Sequence, residues 1–123
     1  MSFIPKIAVL LTCHNRKKKT LQCLNALNIQ EGLEVDYNIE VFLVDDGSFD
    51  GTAEAIVACF PNVHIIQGNG NLYWNQGMRL AWDTAAKTKD YDFYLWLNDD
   101  TILDKDAIIN LTNILKYLHK VKL

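Results

Sequence analysis

The sequence predicts an α/β fold, an open and mostly parallel sheet of about four strands with helices on both faces. Two observations indicate this class. Short apolar runs alternate with stretches of helical periodicity in the order βαβαβαβα. The runs are rich in Val, Ile, Leu and aromatic residues and mostly do not alternate with polar ones, as in parallel strands covered on both faces. Right-handed helical crossovers between such strands make a doubly wound sheet, and we expect the strand order 3-2-1-4.

The composition fits a single domain spanning residues 1–123. Half of the residues are hydrophobic and 22% are charged, as in ordinary globular proteins. The formal net charge of -3 argues against nucleic-acid binding, and no apolar run approaches the roughly 18 residues of a membrane span. The N-terminus lacks the features of a signal peptide, and the three cysteines follow no disulfide or zinc-site pattern. We therefore expect a cytoplasmic protein with reduced thiols.

Four apolar runs predict the strands. They occupy residues 6–12, 39–45, 63–67 and 92–98. Their length and their content of β-branched and aromatic residues are typical of strands.

Helices are expected between and after the strands. Apolar side chains share one face in three of them, at Leu21, Leu24 and Leu27, then Trp74, Met78, Ala81 and Ala85, then Ile108, Leu111, Leu115 and Leu118. The second helix lies within GTAEAIVACF, and Ser48 or Asp50 is expected to cap it. Asp104 is expected to cap the fourth helix. By its periodicity, Trp74 is expected in the core.

Every predicted strand ends in polar residues. These are Thr12 to Arg16, then Asp45 to Ser48, then Gly68 to Asn71, then Asn98 to Asp100. Ligands of open α/β sheets bind outside the carboxyl ends of the strands, where the strand order reverses. With the order 3-2-1-4, the two acidic pairs flank the first strand across one crevice. Two converging carboxylate pairs make a metal-assisted site for an anionic ligand.

In the segment YLWLNDDT, residues 94–101, two carboxylates follow the end of a buried strand. Adjacent carboxylates repel and are costly to bury unpaired, so a cation is expected beside Asp99 and Asp100. Arg16 presents the converse case, because a positive charge near a helix N-terminus is unfavourable without an anion. Structural roles stay open, since one acid of each pair could cap a helix or shape a turn.

Three other phosphate-binding classes do not fit. A dinucleotide site needs G-x-G-x-x-G after the first strand, where this chain has TCHNRKKKT without glycine. The P-loop pattern is absent as well. A phosphoacceptor receiver domain would carry its acidic pair after the first strand rather than the second.

Four motifs together resemble family 2 glycosyltransferases. VLLTCHNR, VDDGS, GNGNLYWNQG and LWLNDD occur in the order and spacing of that family. The resemblance covers essentially the whole chain and implies the GT-A fold, here its Rossmann-like nucleotide-diphospho-sugar transferase half. It also implies Mg²⁺ or Mn²⁺ as the cofactor. The form of the Asn/Gly segment is similar to the bacterial rhamnosyltransferase-like and galactofuranosyltransferase-like branch.

The resemblance also implies roles for individual residues. Thr12 would border the nucleotide base, with Asn15 and Arg16 nearby, and Asp45 or Asp46 would accept from a pyrimidine ring N–H. The Asn/Gly segment, with Gly70 and Asn75, would border the ribose, the phosphates or the sugar. The sequence NDD corresponds to the family's Asp-x-Asp metal motif, with Asn98 in place of the first acid. Asp100 is then the expected metal ligand, and Asp99 contacts ribose or sugar or serves as a second ligand.

The expected function is that of a donor domain in a metal-dependent, inverting glycosyltransferase of cell-surface polysaccharide synthesis. Its ligand would be a UDP- or dTDP-linked sugar, and the acceptor a glycan hydroxyl. The general base and the acceptor-binding half are expected beyond Leu123, in a longer enzyme that works in the cytoplasm or at the inner face of the membrane. Two alternatives are a non-catalytic nucleotide-sugar-binding module and a nucleotidyltransferase. The latter normally carries a Gly-rich loop with a basic residue after the first strand.

Overall fold

The computed structural model describes residues 3–121, and the side chains of residues 3–118. The elements follow the predicted order: β1 (Lys6–Cys13), α1 (Lys17–Asn28), β2 (Asn38–Asp46), α2 (Thr52–Cys59), β3 (His64–Gly68), α3 (Tyr73–Thr88), β4 (Phe93–Trp96) and α4 (Ala107–Val121). None of the helices within residues 3–121 has the length and apolar character needed to cross a membrane.

The strands form one four-stranded sheet in the order β3-β2-β1-β4. All three pairings are parallel, which confirms the predicted architecture. The register places Cys13 opposite Asp45 and Asp46 opposite Gly68. The carboxyl ends of β1, β2 and β3 are therefore level, and the polar residues that follow them meet at one edge.

The sheet is packed on both faces. On one face α1, α2 and the start of α4 cover the apolar side chains of β1 and β2, and this core includes Val9, Leu11, Leu24, Ile56 and Ile108. On the other face α3 packs alone, and this core comprises Ala8, Leu10, Phe42, Val44, Met78, Ala81 and Ala85. Burying a large apolar side chain contributes about 1.5–3 kcal/mol relative to leaving it exposed, so these layers fix α1 and α3 against the strands that carry the polar ends.

The fourth strand is shorter than predicted. It covers Phe93–Trp96 rather than 92–98, although the amide of Leu97 still donates to the carbonyl of Leu10 at 3.0 Å. A turn follows, in which the amide of Thr101 donates to the carbonyl of Asn98. Asp99 and Asp100 therefore lie in a turn at the sheet edge, as expected from their position after the apolar run.

The predicted helix caps are only partly reproduced. The N-cap of α2 is Gly51, and Asp50, one residue earlier, accepts through Oδ1 from the amide of Thr52 at 3.1 Å. The prediction for α4 is wrong, because that helix begins at Ala107 and Asp104 offers only its backbone carbonyl. Buried Gln30 supplies the cap instead, its Oε1 accepting from the amide of Ile108 at 3.1 Å.

The prediction that Trp74 belongs to the core is also wrong, since 43% of this residue is exposed. Its ring contacts Trp96 at 5.7 Å between centroids, and Trp96 contacts Trp82 at 5.4 Å. The three rings form an exposed aromatic cluster on α3 and the end of β4. Helical periodicity predicted the buried face of α3 correctly. The sheet ends at β4, however, and does not cover the first turn of α3, where Trp74 lies.

Candidate functional site

The Asp46 carboxylate organises the segment that leads into α3. It is 3% exposed and accepts from the amides of Gly70 at 2.8 Å, Leu72 at 3.1 Å and Tyr73 at 2.9 Å. The first amides of a helix lack intrahelical partners, and the helix dipole favours a negative charge there. Asp46 therefore has the structural role that the sequence left open for one acid of this pair, and the amide of Gly70 is engaged with it.

Gly47 and Gly77 permit close contacts at this edge. A Cβ on Gly47 would lie 2.8 Å from the Cα of Gly70, whose φ is +90°. A Cβ on Gly77 would lie 2.4 Å from Thr12 Cγ2. Gly77 therefore lets the first turns of α3 approach the end of β1. Sequence reasoning missed this role, and the signal was a glycine inside a predicted helix.

Thr12 and Asp45 keep unused hydrogen-bonding capacity. Thr12 is 8% exposed, and within residues 3–118 its Oγ1 has no hydrogen-bond partner. Asp45 is 1% exposed, and its Oδ1 accepts from the amide of Ser48 at 3.1 Å. A buried hydroxyl without a partner is uncommon in native proteins and costs free energy. A ligand that donates to or accepts from Thr12 would remove that cost.

Asn15 cross-links the loops that follow β1 and β2. Its amide donates to Ser48 Oγ at 2.9 Å, and its Oδ1 accepts from the amide of Phe49 at 2.8 Å. Asn15 has a φ of +50°, a conformation that asparagine tolerates better than most residues. The neighbouring His14 approaches the Asp46 carbonyl through Nδ1 at 2.6 Å. Asn15 thus fixes the loops around Arg16.

Arg16 is the cation beside the second acidic pair. Its Nη2 donates to Asp100 Oδ2 at 3.0 Å, and its Nη1 lies 3.5 Å from Asp99 Oδ1. Thr20 Oγ1 adds a weak contact to Asp99 Oδ2 at 3.5 Å. Arg16 is therefore the cation expected beside Asp99 and Asp100, and these two acids are the anions expected beside Arg16. Thr20 was missed by sequence reasoning, although it lies one helical turn after Arg16.

Burial shifts the pKa values of Asp99 and of the nearby Cys13 thiol. Burial raises the pKa of Asp99, against the lowering effect of Arg16 and with a further increase from Asp100. Burial also raises the pKa of the Cys13 thiol to about 12, and the charges of Asp45 and Asp99 add to that increase. The charges of one acid at the end of β2 and one acid after β4 therefore both affect the Cys13 thiol.

Asn75 lies apart from this acidic centre. It is exposed on the first turn of α3 and lines a cavity of about 500 Å³ with Arg79, Trp82, Asp83 and Trp96. A larger cavity of about 630 Å³ lies at the opposite end of the sheet, at the start of β2 and β3. Its lining includes none of the predicted site residues.

Comparison with known proteins decides the family. The model of the family described as "Glycosyl transferase family 2" matches residues 8–120. The chain belongs to glycosyl transferase family 2. The resemblance drawn from the four motifs is thereby confirmed.

Relatives within family 2 include a polysaccharide synthase. The poly-beta-1,6-N-acetyl-D-glucosamine synthase of Staphylococcus aureus (strain COL) is 33% identical over 104 residues. The match covers 82% of this chain and 23% of that protein. The chain therefore spans about a quarter of the length of this relative.

Solved structures share the fold. S. aureus TarS 1–349 in complex with UDP-GlcNAc superposes with a TM-score of 0.75 at 22% identity, covering 93% of this chain and 32% of that chain. The mannosyltransferase PcManGT from Pyrobaculum calidifontis, in complex with GDP-Man and Mn²⁺, gives 0.67 at 20% identity, covering 94% and 33%. This likeness shows that the family 2 chain has the GT-A fold.

The acidic pair fits the divalent cation that family 2 implies. Within the described side chains there is no cluster of three or more acidic, histidine or cysteine ligands. Asp99 and Asp100 nevertheless converge on one cationic group, the Arg16 guanidinium. Mg²⁺ is commonly held by one or two carboxylates, with water and substrate phosphates completing its shell. Asp100 would hold the metal from its exposed side, and Asp99 from the buried side.

Proposed function

We propose that the chain binds the nucleoside-diphosphate sugar of a metal-dependent, inverting glycosyltransferase that builds a cell-surface polysaccharide. The observation that carries this proposal is the edge formed by Thr12, Asp45, Asp99 and Asp100, where unused polar groups lie near an acidic pair that converges on one cation. Family membership and the similarity to a polysaccharide synthase support it.

Base recognition falls to Asp45 rather than Asp46. Asp46 already accepts three backbone amides, whereas the hydrogen bonds of Asp45 to described residues all go to Oδ1. A carboxylate oxygen accepts well from the ring N–H of uracil or thymine, and Thr12 at the end of β1 borders the base in this proposal. These groups favour a UDP- or dTDP-linked sugar, and TarS was crystallised with UDP-GlcNAc.

The phosphates and sugar lie towards the other acids. Asp100 is the metal ligand of the proposal because its side chain is 42% exposed. Asp99, which is 6% exposed, bonds ribose or sugar hydroxyls or serves as the second ligand. Bound Mg²⁺ or Mn²⁺ would neutralise the charge of the diphosphate leaving group. Gly70 and Asn75 border the sugar side of the crevice in this proposal.

Transfer requires a general base that deprotonates the acceptor hydroxyl. We place that base, and the glycan-binding surface, outside this donor domain. The longer enzyme would work at the cytoplasmic face of the membrane, and the free thiols of Cys13, Cys23 and Cys59 agree with a reducing compartment.

Calorimetric titration of UDP with and without Mn²⁺ tests the donor role. We expect binding with Mn²⁺ at least about tenfold tighter than without it, because the metal bridges carboxylate and phosphate. Uridine, which lacks phosphates, is the control and should bind equally weakly in both conditions. No UDP binding at millimolar concentration with Mn²⁺ would contradict the proposal, and equal affinities would contradict its metal part. Release of UDP from UDP-GlcNAc, followed in parallel, separates turnover from binding.

A further inference from the structure

The guanidinium of Arg16 occupies the point on which the acidic pair converges. Nη1 lies 3.5 Å from Asp99 Oδ1, and Nη2 lies 3.0 Å from Asp100 Oδ2. The side chains of Arg16 and Asp100 are 41% and 42% exposed. The two carboxylates that would hold a metal are thus neutralised by the long side chain of Arg16.

We propose that Arg16 is an exchangeable counter-ion of this site. It holds the acidic pair in the empty protein, leaves the pair when a divalent cation binds, and then binds the diphosphate of the ligand. This inference rests on the proposed function and gives Arg16 two roles, one before and one after the metal binds.

Arg16 and a divalent cation compete for the same oxygens. A metal ligated by Asp99 and Asp100 would sit about 2.0–2.6 Å from their oxygens, so the guanidinium cannot keep its present contacts. The bond to Asp100 is weak enough to yield, because exposed pairs change equilibria by only about fivefold or less, and the contact to Asp99 is longer, at 3.5 Å. The empty pair without Arg16 would instead carry two repelling charges, one of them on largely buried Asp99.

The diphosphate is the anion that suits a displaced Arg16. The residue lies three positions after the end of β1 and is the N-cap of α1, whose first turn contains no acidic residue. A helix N-terminus favours anions, and the planar guanidinium matches phosphate oxygens with two parallel hydrogen bonds. Rotation of one long, exposed side chain suffices, and the backbone anchors of Asn15 and Thr20 stay in place.

The exchange predicts effects of opposite sign for one substitution. Arg16→Gln removes the competitor, so Mn²⁺ alone should bind about two- to fivefold tighter. It also removes a charge-assisted contact to phosphate, so UDP in saturating Mn²⁺ should bind about tenfold weaker or worse. A residue that only supported the loop would weaken both.

The experiment measures the two affinities in four proteins. Free Mn²⁺ is followed by electron paramagnetic resonance, and UDP binding by calorimetry, in the wild type, Arg16→Gln, Arg16→Lys and Lys18→Gln. Lys18→Gln is the matched control, because it removes one positive charge from the same exposed segment. Circular dichroism checks the fold. Arg16→Lys keeps the charge without the fork, and gives the same test with smaller shifts if Arg16→Gln does not fold.

The inference is supported if Arg16→Gln binds Mn²⁺ more tightly and UDP more weakly than Lys18→Gln does. Unchanged or weaker Mn²⁺ binding in Arg16→Gln overturns it, as does an unchanged affinity for UDP. The two proposals fail separately. A wild type that binds Mn²⁺ but no UDP overturns the proposed function, whereas a wild type that binds Mn²⁺ and UDP together with an indifferent Arg16→Gln overturns only the exchange.

Discussion

Asp45 and Asp46 are adjacent in the chain and both buried, yet their carboxylates have different partners. Asp46 accepts from three amides at the start of α3. Asp45 accepts one amide, that of Ser48, through Oδ1. Successive side chains of a strand point to opposite faces of the sheet, which is why neighbouring acids at the end of β2 serve different purposes.

The two acids should therefore respond differently to the same substitution. Asp45→Asn can keep the Ser48 bond through its amide oxygen but presents an NH₂ group to the base N–H. UDP binding should weaken by about 1–3 kcal/mol with a smaller change in stability. Asp46→Asn should reverse this order, because its NH₂ group would face amide donors of Leu72 and Tyr73. Calorimetry and thermal melts of both variants make the test, and equal loss of stability in the two would refute the division of roles.

At the scale of elements, the position of α3 sets the shape of the crevice. Asp46 holds its first amides, and Gly77 lets it contact Thr12 at the end of β1. Thr12 and the Asn/Gly segment are therefore brought together by the packing of one helix.

Gly77→Ala should destabilise the protein although it replaces glycine inside a helix. The exchange normally favours a helix by roughly 1 kcal/mol, but here the new Cβ would lie 2.4 Å from Thr12 Cγ2 and 2.6 Å from its Oγ1. Overpacking of this kind costs about 1–3 kcal/mol, so we expect a net loss. Urea unfolding measures it. The double variant Thr12→Ala/Gly77→Ala should recover part of the loss, and strict additivity of the two substitutions would count against the contact.

The elements also show where sequence reasoning ended. Apolar runs and periodicity predicted all eight elements and their order, since both depend on local pattern. The start of α4 escaped prediction because its cap, Gln30, lies 78 positions earlier in the chain. The exposure of Trp74 could not be predicted for a related reason. A stripe of apolar residues on a helix shows which face turns towards the sheet, but not how wide that sheet is.

At the scale of the molecule, most of what the sequence predicted about the site depended on the order of the strands in the sheet. The order 3-2-1-4 is one that right-handed crossovers allow, and with it both acidic pairs follow strands that neighbour β1. What sequence alone could not give was the pairing of charges there. Arg16 and Asp100 are 84 positions apart, and each separately suggested an external ligand. Only their side-chain positions showed that they satisfy one another in the empty protein.

The far end of the sheet offers a way to change the stability of the whole molecule without touching the crevice. Glu40 in β2 lies six residues before Asp46, roughly 20 Å along the strand. It bonds Lys89 at 2.5 Å and His64 at 3.0 Å, and so ties β2 to β3 and to the end of α3. Burial raises the pKa of Glu40, but the hydrogen bonds from Lys89 and His64 outweigh burial and leave the pKa below its usual value.

An acid whose pKa is lowered on folding stabilises the protein above its unfolded pKa, and this contribution disappears as the pH falls through its folded pKa. Glu40→Gln should therefore lower the free energy of unfolding at pH 7 by about 0.2–1 kcal/mol, the range for a partly exposed pair. The difference from the wild type should shrink as the pH falls through the lowered folded pKa of Glu40. Urea unfolding in a series of buffers from pH 7 downwards measures it, with UDP affinity at pH 7 as the control that should not move. A difference that persisted at low pH would assign the loss to packing rather than charge.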